Sequence, residues 1–353
     1  MIIKKIRKIL YIIWHFVVKE KEYPVITNIF DYNEVIKNRF DLDKNVMFSN
    51  HFYGYSYTMK KYSGYKKTIK TPMEHAPALE SDDMLEYKIE DAVSLIVNSK
   101  QRVDYLKKKI TKPIWAIGPS VYYSESIFDE FDVEAIKEQF GKTLLVYPLH
   151  DIEDDHYIQD TEQFIRYIKD IKKRYNYKTV IVSMFFVDIE RGRHFAYLDE
   201  GWRILSAGRR ENYDFNIIMK SIIQLADYAI FQAYASAIGY CIYYDVPVTI
   251  YHQDVLFKER DKQGYGTDNG MKNDTMSQFE KMFSEYNEII SEEQRKFCEY
   301  WYGYLDIRTP EEIKLLFDYV SRLSVNMSKE QMKKIAMKKK YERVSEWLLS
   351  GIE

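Results

Sequence analysis

The chain has 353 residues, of which 46% are hydrophobic and 30% are charged, and its formal net charge is -2. This length suits two domains, and the near-neutral charge gives no overall electrostatic attraction to nucleic acid. The two cysteines, Cys241 and Cys298, are too few for a disulfide framework or a cysteine-rich metal site, so reduced core thiols and a cytoplasmic location are expected.

Residues 1–22 are predicted to form an amphipathic N-terminal helix, in which Lys4, Lys5, Arg7 and Lys8 precede an apolar run over 9–18. That run is about half the length needed to span a bilayer, and no small-residue cleavage site accompanies it, which argues against a signal peptide. The pattern suits a peripheral helix on the inner face of the cytoplasmic membrane, with residues 1–20 as the contact surface. A first helix packed on the core is the alternative.

Residues 23–140 are predicted to form a first Rossmann-like domain. Short apolar runs over 45–50, 92–99 and 114–119 indicate strands, and the segment 99–109 between the last two indicates their crossover helix. The junction to the next domain is expected near 120–142.

Residues 141–305 show the stronger alternation of strands and helices. Strands are predicted over 143–149, 179–186, 203–208, 228–232 and 247–251. Asp160 and Gln163 form a cap-like pair before a helix that runs to about residue 175, and residues 214–227 have helical apolar spacing. This pattern predicts a second Rossmann-like domain with a parallel sheet.

The chain from about residue 275 onward reads as helical, and its end, 306–353, is treated as a separate helical tail. Three capping boxes mark helix starts in this part: Thr309 with Glu312, Ser291 with Gln294, and Ser328 with Gln331. The expected fold class is therefore α/β, with two Rossmann-like domains that face each other across a cleft and a helical C-terminal tail. Ligands are expected at the carboxyl ends of the strands.

A turn over 233–237 follows the strand 228–232. Ser236 is placed to cap the next helix, Ala237 follows it, and Gly239 lies in the first turn, where the lack of a Cβ would let a ligand approach. The free amides at a helix N-terminus attract phosphate. The turn is therefore predicted to bind a phosphate group, although an ordinary strand-loop-helix unit fits the same spacing.

The segment ADYAIFQAYASAIGYCIYYDVPVTIY, residues 226–251, resembles the C-terminal signature of bacterial GT-B glycosyltransferases that build capsule, lipopolysaccharide and teichoic-acid polymers. NSKQRVDYLKKKITKPIWAIGPSVYY, residues 98–123, resembles the end of their acceptor half. The resemblance implies a GT-B fold, a nucleotide-sugar co-substrate in the second domain, an acceptor in the first, and inverting transfer with neither metal nor another cofactor. It is shared with polyol-phosphate transferases and non-hydrolysing sugar-nucleotide epimerases.

The catalytic base of such a transferase is predicted in KTPMEHAPALESDD, residues 70–83. Glu74 and His75 lie between two prolines that exclude regular helix, and loops on a rigid scaffold often carry function. Related enzymes carry a His-containing loop in the acceptor half, usually as His-Gly, whereas Ala76 follows the histidine here. A hydrogen-bonded structural histidine and a solvated carboxylate are the alternatives.

Donor-binding residues are predicted at the ends of the second-domain strands. His150 would contact the donor phosphate and Asp151 would orient it, while Gly208 and Arg209 would supply a turn and a phosphate clamp. Solvated loop acids and a surface arginine are the alternatives. His51 and Tyr53 are predicted to line the acceptor site, and a packing role fits them equally.

The sequence lacks the glycine patterns of P-loop and dinucleotide-binding proteins and the nucleophile elbow of serine hydrolases. The preferred function is a glycosyltransferase that moves a sugar from a nucleotide-sugar donor to a glycan or lipid-linked acceptor in a growing bacterial surface polysaccharide. A glycerophosphate-type polyol-phosphate transferase and a non-catalytic nucleotide-sugar-binding subunit remain as alternatives, and no nucleic-acid partner is expected.

Overall fold

A computed structural model describes residues 28–37, 50–75, 77, 79, 89, 91–151, 156–253, 256–258, 266–267 and 274–353. Its strands, numbered in chain order within these residues, are β1 Leu95–Val97, β2 Ile114–Ala116, β3 Thr143–Tyr147, β4 His156–Ile158, β5 Thr179–Ser183, β6 Arg203–Leu205, β7 Tyr228–Phe231, β8 Val248–Ile250, β9 Leu256–Lys258 and β10 Gly266–Thr267. Its α-helices are α1 Tyr32–Val35, α2 Tyr55–Ser63, α3 Lys100–Lys107, α4 Ser120–Tyr123, α5 Glu130–Phe140, α6 Thr161–Arg174, α7 Phe186–Glu190, α8 Phe195–Leu198, α9 Phe215–Gln224, α10 Ala237–Tyr243, α11 Asp274–Met282, α12 Glu292–Tyr302, α13 Pro310–Val320, α14 Lys329–Ala336 and α15 Ser345–Ile352.

A five-stranded parallel sheet in the order β6-β5-β3-β7-β8 forms the centre of the second half. All five of its strands were predicted from the apolar runs, and they are apolar and β-branched because helices cover both faces of the sheet. When only the strands of this sheet are numbered, the order is 3-2-1-4-5, and the chain reverses its direction of travel between β3 and β7. That reversal is the topological switch point at which open α/β sheets bind ligands.

The helices around this sheet follow from local sequence. The Asp160 side chain accepts a hydrogen bond of 2.8 Å from the Gln163 amide and so caps α6, as predicted. The spacing of Phe164, Ile168 and Ile171 places these side chains on one buried face of that helix. The predicted helix over 214–227 is observed as α9, which buries Ile218 and Ile222 completely. A small antiparallel sheet in the order β10-β9-β4 accompanies the main one.

The first half contains a β1-α3-β2 unit with two parallel strands, extended by a parallel bridge from Met73 to Ile96. The crossover helix was predicted, and the Ser99 side chain caps it. Asn50 ties the neighbouring segment together: its amide donates to the Thr71 carbonyl at 2.8 Å, and its side-chain oxygen accepts from the Met73 amide at 3.0 Å. The predicted strand over 45–50 lies, apart from Asn50, outside the described residues.

The C-terminal helices pack on the first half. Trp115 of β2 is buried among Phe317 and other side chains of α13 to α15, and its indole donates to the Leu348 carbonyl at 3.3 Å. Gly351 lets α15 approach that ring, because a Cβ there would lie 2.1 Å from the indole nitrogen. The C-terminal chain thus returns to the unit that contains β1 and β2.

The three predicted capping boxes are confirmed, each with reciprocal hydrogen bonds, at the starts of α12, α13 and α14. Cys241 and Cys298 are both buried as free thiols, as expected for core residues. The predicted helix over 1–22 and its membrane contact lie outside the described residues. Within the described part of the chain, no helix is both long and apolar enough to cross a bilayer.

Candidate active site

A cavity of about 500 Å³ opens at the carboxyl edge of the main sheet, across the switch point between β3 and β7. The chain segments that follow β3, β5, β6 and β7 form most of its wall, and three residues of the first half form the rest. The lining residues are Tyr53, Tyr55, His75, Tyr147, Pro148, Leu149, His150, Ser183, Met184, Phe185, Ala207, Gly208, Arg210, Phe215, Asn216, Met219, Phe231, Ala233, Tyr234, Ala235, Ser236, Ala237 and Tyr240. The volume falls within the range of about 300–1,000 Å³ that is usual for small-molecule sites.

The turn before α10 borders this cavity, as the sequence predicted. Ser236 and Ala237 both line it. The prediction that the Ser236 side chain caps α10 is wrong: Ser236 has helical backbone angles, φ -56° and ψ -32°, and its hydroxyl makes no capping hydrogen bond. A capping side chain needs a non-helical backbone to reach the amides beyond it. Ser236 is a residue of the cavity wall instead.

Gly239 serves packing and not ligand approach, so the sequence interpretation of this residue is corrected. A Cβ on Gly239 would lie 2.2 Å from two carbons of the Tyr302 ring. The missing side chain therefore lets α12 pack closely against α10, and the two helices share one core.

His75 enters the cavity from the first half. Its ring stacks on Tyr53 with centroids 5.4 Å apart and an interplanar angle of 20°, and its carbonyl accepts a hydrogen bond from the Tyr55 hydroxyl. Tyr53 adopts φ +58°, a left-handed backbone conformation that is rare for an aromatic residue, and its amide donates to the Arg210 carbonyl. Strain of this kind is concentrated at functional sites, where the surroundings maintain it.

Glu74 does not line the cavity, although the sequence placed it beside His75 as a candidate base. Its carboxylate is fully buried in an ion pair with Arg102 of α3: Arg102 Nη2 lies 2.7 Å from Glu74 Oε1, and Arg102 Nε lies 2.9 Å from the same oxygen. A carboxylate held by a guanidinium away from the cavity cannot reach an acceptor hydroxyl there. The catalytic prediction for Glu74 is therefore corrected.

His150 and Asp151 follow β3. As with His75 and Glu74, the histidine lines the cavity and the neighbouring acid does not. His150 is exposed and lines the cavity, and its Nδ1 lies 3.1 Å from the Asp151 carbonyl oxygen. Because a carbonyl only accepts, Nδ1 carries the proton in this contact and Nε2 faces outward from it. The Asp151 carboxylate is buried, bonds Arg191, and lies 2.9 Å from Arg193 Nη2, so the group of Asp151 that contacts His150 is its backbone carbonyl and not the predicted carboxylate.

Asp188 extends this network. It lies 3.1 Å from Arg193 Nη1, and burial raises its pKa although Arg193 opposes the shift. The loop that presents His150 therefore rests on two buried acids, Asp151 and Asp188, which are held by two partly exposed arginines.

Gly208 and two arginines follow β6. Gly208 lines the cavity at φ +85°, and a Cβ there would lie 2.8 Å from the Val35 carbonyl of α1, so only glycine fits. Arg209 turns away: its Nε donates to the Ile36 carbonyl at 2.9 Å and its guanidinium also bonds Glu190. Arg209, the predicted phosphate clamp, therefore does not line the cavity, whereas its neighbour Arg210 does.

His51 packs beside the cavity without lining it, which corrects its acceptor-site prediction. Its ring lies 4.4 Å from Phe52, its Nδ1 is buried without a hydrogen-bond partner, and burial lowers its pKa. Of the two acceptor-site predictions, only Tyr53 reaches the cavity.

The sequence missed most of the aromatic wall. Tyr55, Tyr147 and Tyr240 line the cavity, and burial raises the pKa of Tyr240 to about 12, so its hydroxyl stays protonated and able to donate a hydrogen bond at neutral pH. Asn216 also lines it, and its amide donates to the Ser120 hydroxyl at 3.0 Å. A weak signal existed, since Tyr147 lies near the end of the strand predicted over 143–149 and Tyr240 lies in the first turn of the helix after the turn over 233–237.

The fold and the cavity together define an α/β protein with a Rossmann-ordered parallel sheet and a ligand-sized site at its switch point. No protein-family model matches the chain, and no curated protein matches it. Among solved structures, the chain is similar to the crystal structure of Arabidopsis thaliana UGT89C1, with a TM-score of 0.36 and 11% sequence identity. The similarity covers 80% of this chain but 66% of that one, slightly less than two thirds.

Proposed function

We propose that this protein is a glycosyltransferase that moves a sugar from a nucleotide-sugar donor to a hydroxyl group of a growing bacterial surface polysaccharide. One observation carries the proposal: the cavity at the switch point joins the turn before α10 to a histidine from the other half of the chain. A switch-point cavity suits a nucleotide, and an opposing histidine suits proton removal from an acceptor.

The donor phosphates would lie between the turn over 233–237 and the segment that follows β3. Arg210 supplies a guanidinium, which suits phosphate oxygens, and His150 supplies an imidazole whose Nε2 is directed away from its contact with Asp151. These groups would stabilise the negative charge that develops on the leaving nucleoside diphosphate. The proposal assigns this task to side chains and backbone amides and not to a metal ion.

The acceptor base would be His75. His75 and His150 are the histidines among the described lining residues, and no described lining residue is an aspartate or a glutamate. In the proposed displacement, the acceptor oxygen bonds the anomeric carbon while the bond from that carbon to the donor phosphate breaks. The electron pair leaves with the nucleoside diphosphate, and the acceptor proton passes to the His75 imidazole. The anomeric configuration inverts in such a single displacement.

A thermal-shift panel with CMP, CDP, UDP and GDP tests the site first, because a bound nucleotide stabilises the fold by mass action. Turnover of the matching nucleotide-sugar is then measured in wild type, His75→Ala and the control His252→Ala, whose exposed histidine lies after β8 and outside the cavity wall. We expect His75→Ala to bind the nucleotide as wild type does and to lose turnover by at least about 10²-fold.

Two results would contradict the proposal. Equal turnover in wild type and His75→Ala would remove His75 as the base. Nucleotide binding without turnover of any donor sugar would favour a binding subunit, while release of CMP together with transfer of a polyol phosphate would favour the polyol-phosphate transferase.

A further inference from the structure

We infer that Glu74 and Arg102 form a positioning pair, which holds His75 in the cavity through the backbone that Glu74 shares with it. This inference rests on the proposed function of His75 as the base. Neither member of the pair lines the cavity, so neither is a catalytic residue.

The ion pair between Glu74 and Arg102 is buried, and both carboxylate oxygens of Glu74 are hydrogen-bonded to Arg102. The exposed fraction of the Glu74 side chain is 0% and that of Arg102 is 4%. Arg102 Nε lies 2.9 and 3.0 Å from the two carboxylate oxygens of Glu74, and Nη2 lies 2.7 Å from the first of them. The guanidinium also lies 5.3 Å from the Tyr105 ring centroid. A planar guanidinium bound to both oxygens fixes the orientation of the carboxylate, which a lysine ammonium would not do.

A role in stability alone does not account for such a pair. Moving two charges out of water is costly, and buried ion pairs are often replaced by apolar residues without loss of stability. The pair also fixes the orientation of the Glu74 side chain and of the backbone segment that contains Glu74.

The orientation of the Glu74 side chain fixes the orientation of the next side chain, His75, through the backbone that joins them. The Glu74 amide donates to the Ile96 carbonyl at 2.9 Å, which joins the segment to β1. Successive side chains of an extended segment point to opposite sides. With Glu74 fixed towards α3, the next side chain, His75, points the other way, into the cavity.

The same arrangement recurs at two other positions of the cavity wall. Asp151, next to His150, is held by Arg191 and Arg193, and Arg209, next to Arg210, bonds Glu190. Of these neighbours, Glu74 lies in the pair with the lowest exposure of both side chains. Its loss should therefore displace the adjacent cavity residue most clearly.

The test uses Glu74→Gln and Arg102→Lys in the full chain, with Asp318→Asn as the control. Glu74→Gln keeps the shape and removes the charge, and Arg102→Lys keeps the charge and removes the planar fork. Asp318 lies in α13 outside the cavity wall and bonds Lys340 and Tyr341, so its substitution lowers stability without touching His75.

Steady-state kinetics supply the first readout. A displacement of about 1 Å at a catalytic group can cost 10²-fold in rate, so kcat in Glu74→Gln should fall by about 10–10²-fold while KM changes by less than about twofold. Arg102→Lys should lose less, and Asp318→Asn should keep the wild-type kcat at a temperature where all variants are folded.

The ring signals of the seven histidines in an NMR spectrum supply a second readout that is independent of activity. The His75 signal, assigned by its absence in His75→Ala, should move in both pair variants and stay in Asp318→Asn, while the His150 signal stays in all three. An unmoved His75 signal, or a kcat loss in Asp318→Asn equal to that in Glu74→Gln, would overturn the inference. Should wild type turn over no donor at all, the proposed function fails, and the His75 signal alone then decides whether the pair positions that ring.

Discussion

Gly239→Ala should destabilise the protein by displacing two packed helices. A Cβ at this position would lie 2.2 Å from two carbons of the Tyr302 ring and 2.6 Å from a third. Tyr302 is fully buried, and its ring has little room to retreat because it packs within the core that α10 and α12 share. Helix α10 must therefore move away from α12.

The magnitude follows from two opposing effects. Overpacking a buried site costs about 1–3 kcal/mol, and three clashing ring atoms place this site near the upper end. Alanine recovers about 1 kcal/mol of helix propensity relative to glycine. The free energy of unfolding should therefore fall by about 2 kcal/mol in Gly239→Ala.

Urea-induced unfolding followed by tryptophan fluorescence measures this loss. A double-mutant cycle with Tyr302→Ala supplies the control, since removal of the ring should relieve the clash and leave only the gain in helix propensity, so that Gly239→Ala raises the stability by about 1 kcal/mol in that background. Wild-type stability in Gly239→Ala would refute the packing explanation. If nucleotide affinity fell while stability stayed the same, Gly239 would instead be a site of ligand approach.

Two further predictions concern the C-terminal helices and the thiols. Burial alone would raise the pKa of Asp318, but hydrogen bonds from Lys340 and Tyr341 lower it to about 2. The carboxylate thus stabilises the fold fully above its unfolded pKa of about 4 and loses this effect as the pH falls towards 2. Asp318→Asn should therefore flatten the pH dependence of the melting temperature between these two pH values. An unchanged slope would contradict the assignment of the low pKa to Asp318. Burial also raises the pKa of both Cys241 and Cys298, so a thiol reagent should label them only after unfolding, and rapid labelling of the native protein would disprove their enclosure.

The sequence by itself was enough to predict the five strands of the main sheet and the starts of several helices, but not β4, β9, β10, α7 or α8. The strands β3, β5, β6, β7 and β8 were predicted from apolar runs, and the helix starts from local capping patterns that the structure confirms. These features depend on residues a few positions apart, so local physical chemistry decides them. The sequence also placed the turn with Ser236 at the edge where ligands bind, because a loop after a parallel strand lies at its carboxyl end.

Only the tertiary structure decided which member of each adjacent pair faces the cavity. His75, His150 and Arg210 line it, whereas Glu74, Asp151 and Arg209 turn away from it into ion pairs; Arg210 also pairs with its neighbour Glu211. Neighbouring side chains in extended backbone point to opposite sides, and their order along the chain does not say which side is the cavity. The partners that settle each choice lie far apart in sequence in all three cases: the partner of Glu74 lies 28 positions away, a partner of Asp151 lies 40 away, and Ile36, a partner of Arg209, lies 173 away. A single sequence shows that such partners exist but not that they meet, since the strand order and the packing of helices across the sheet bring them together.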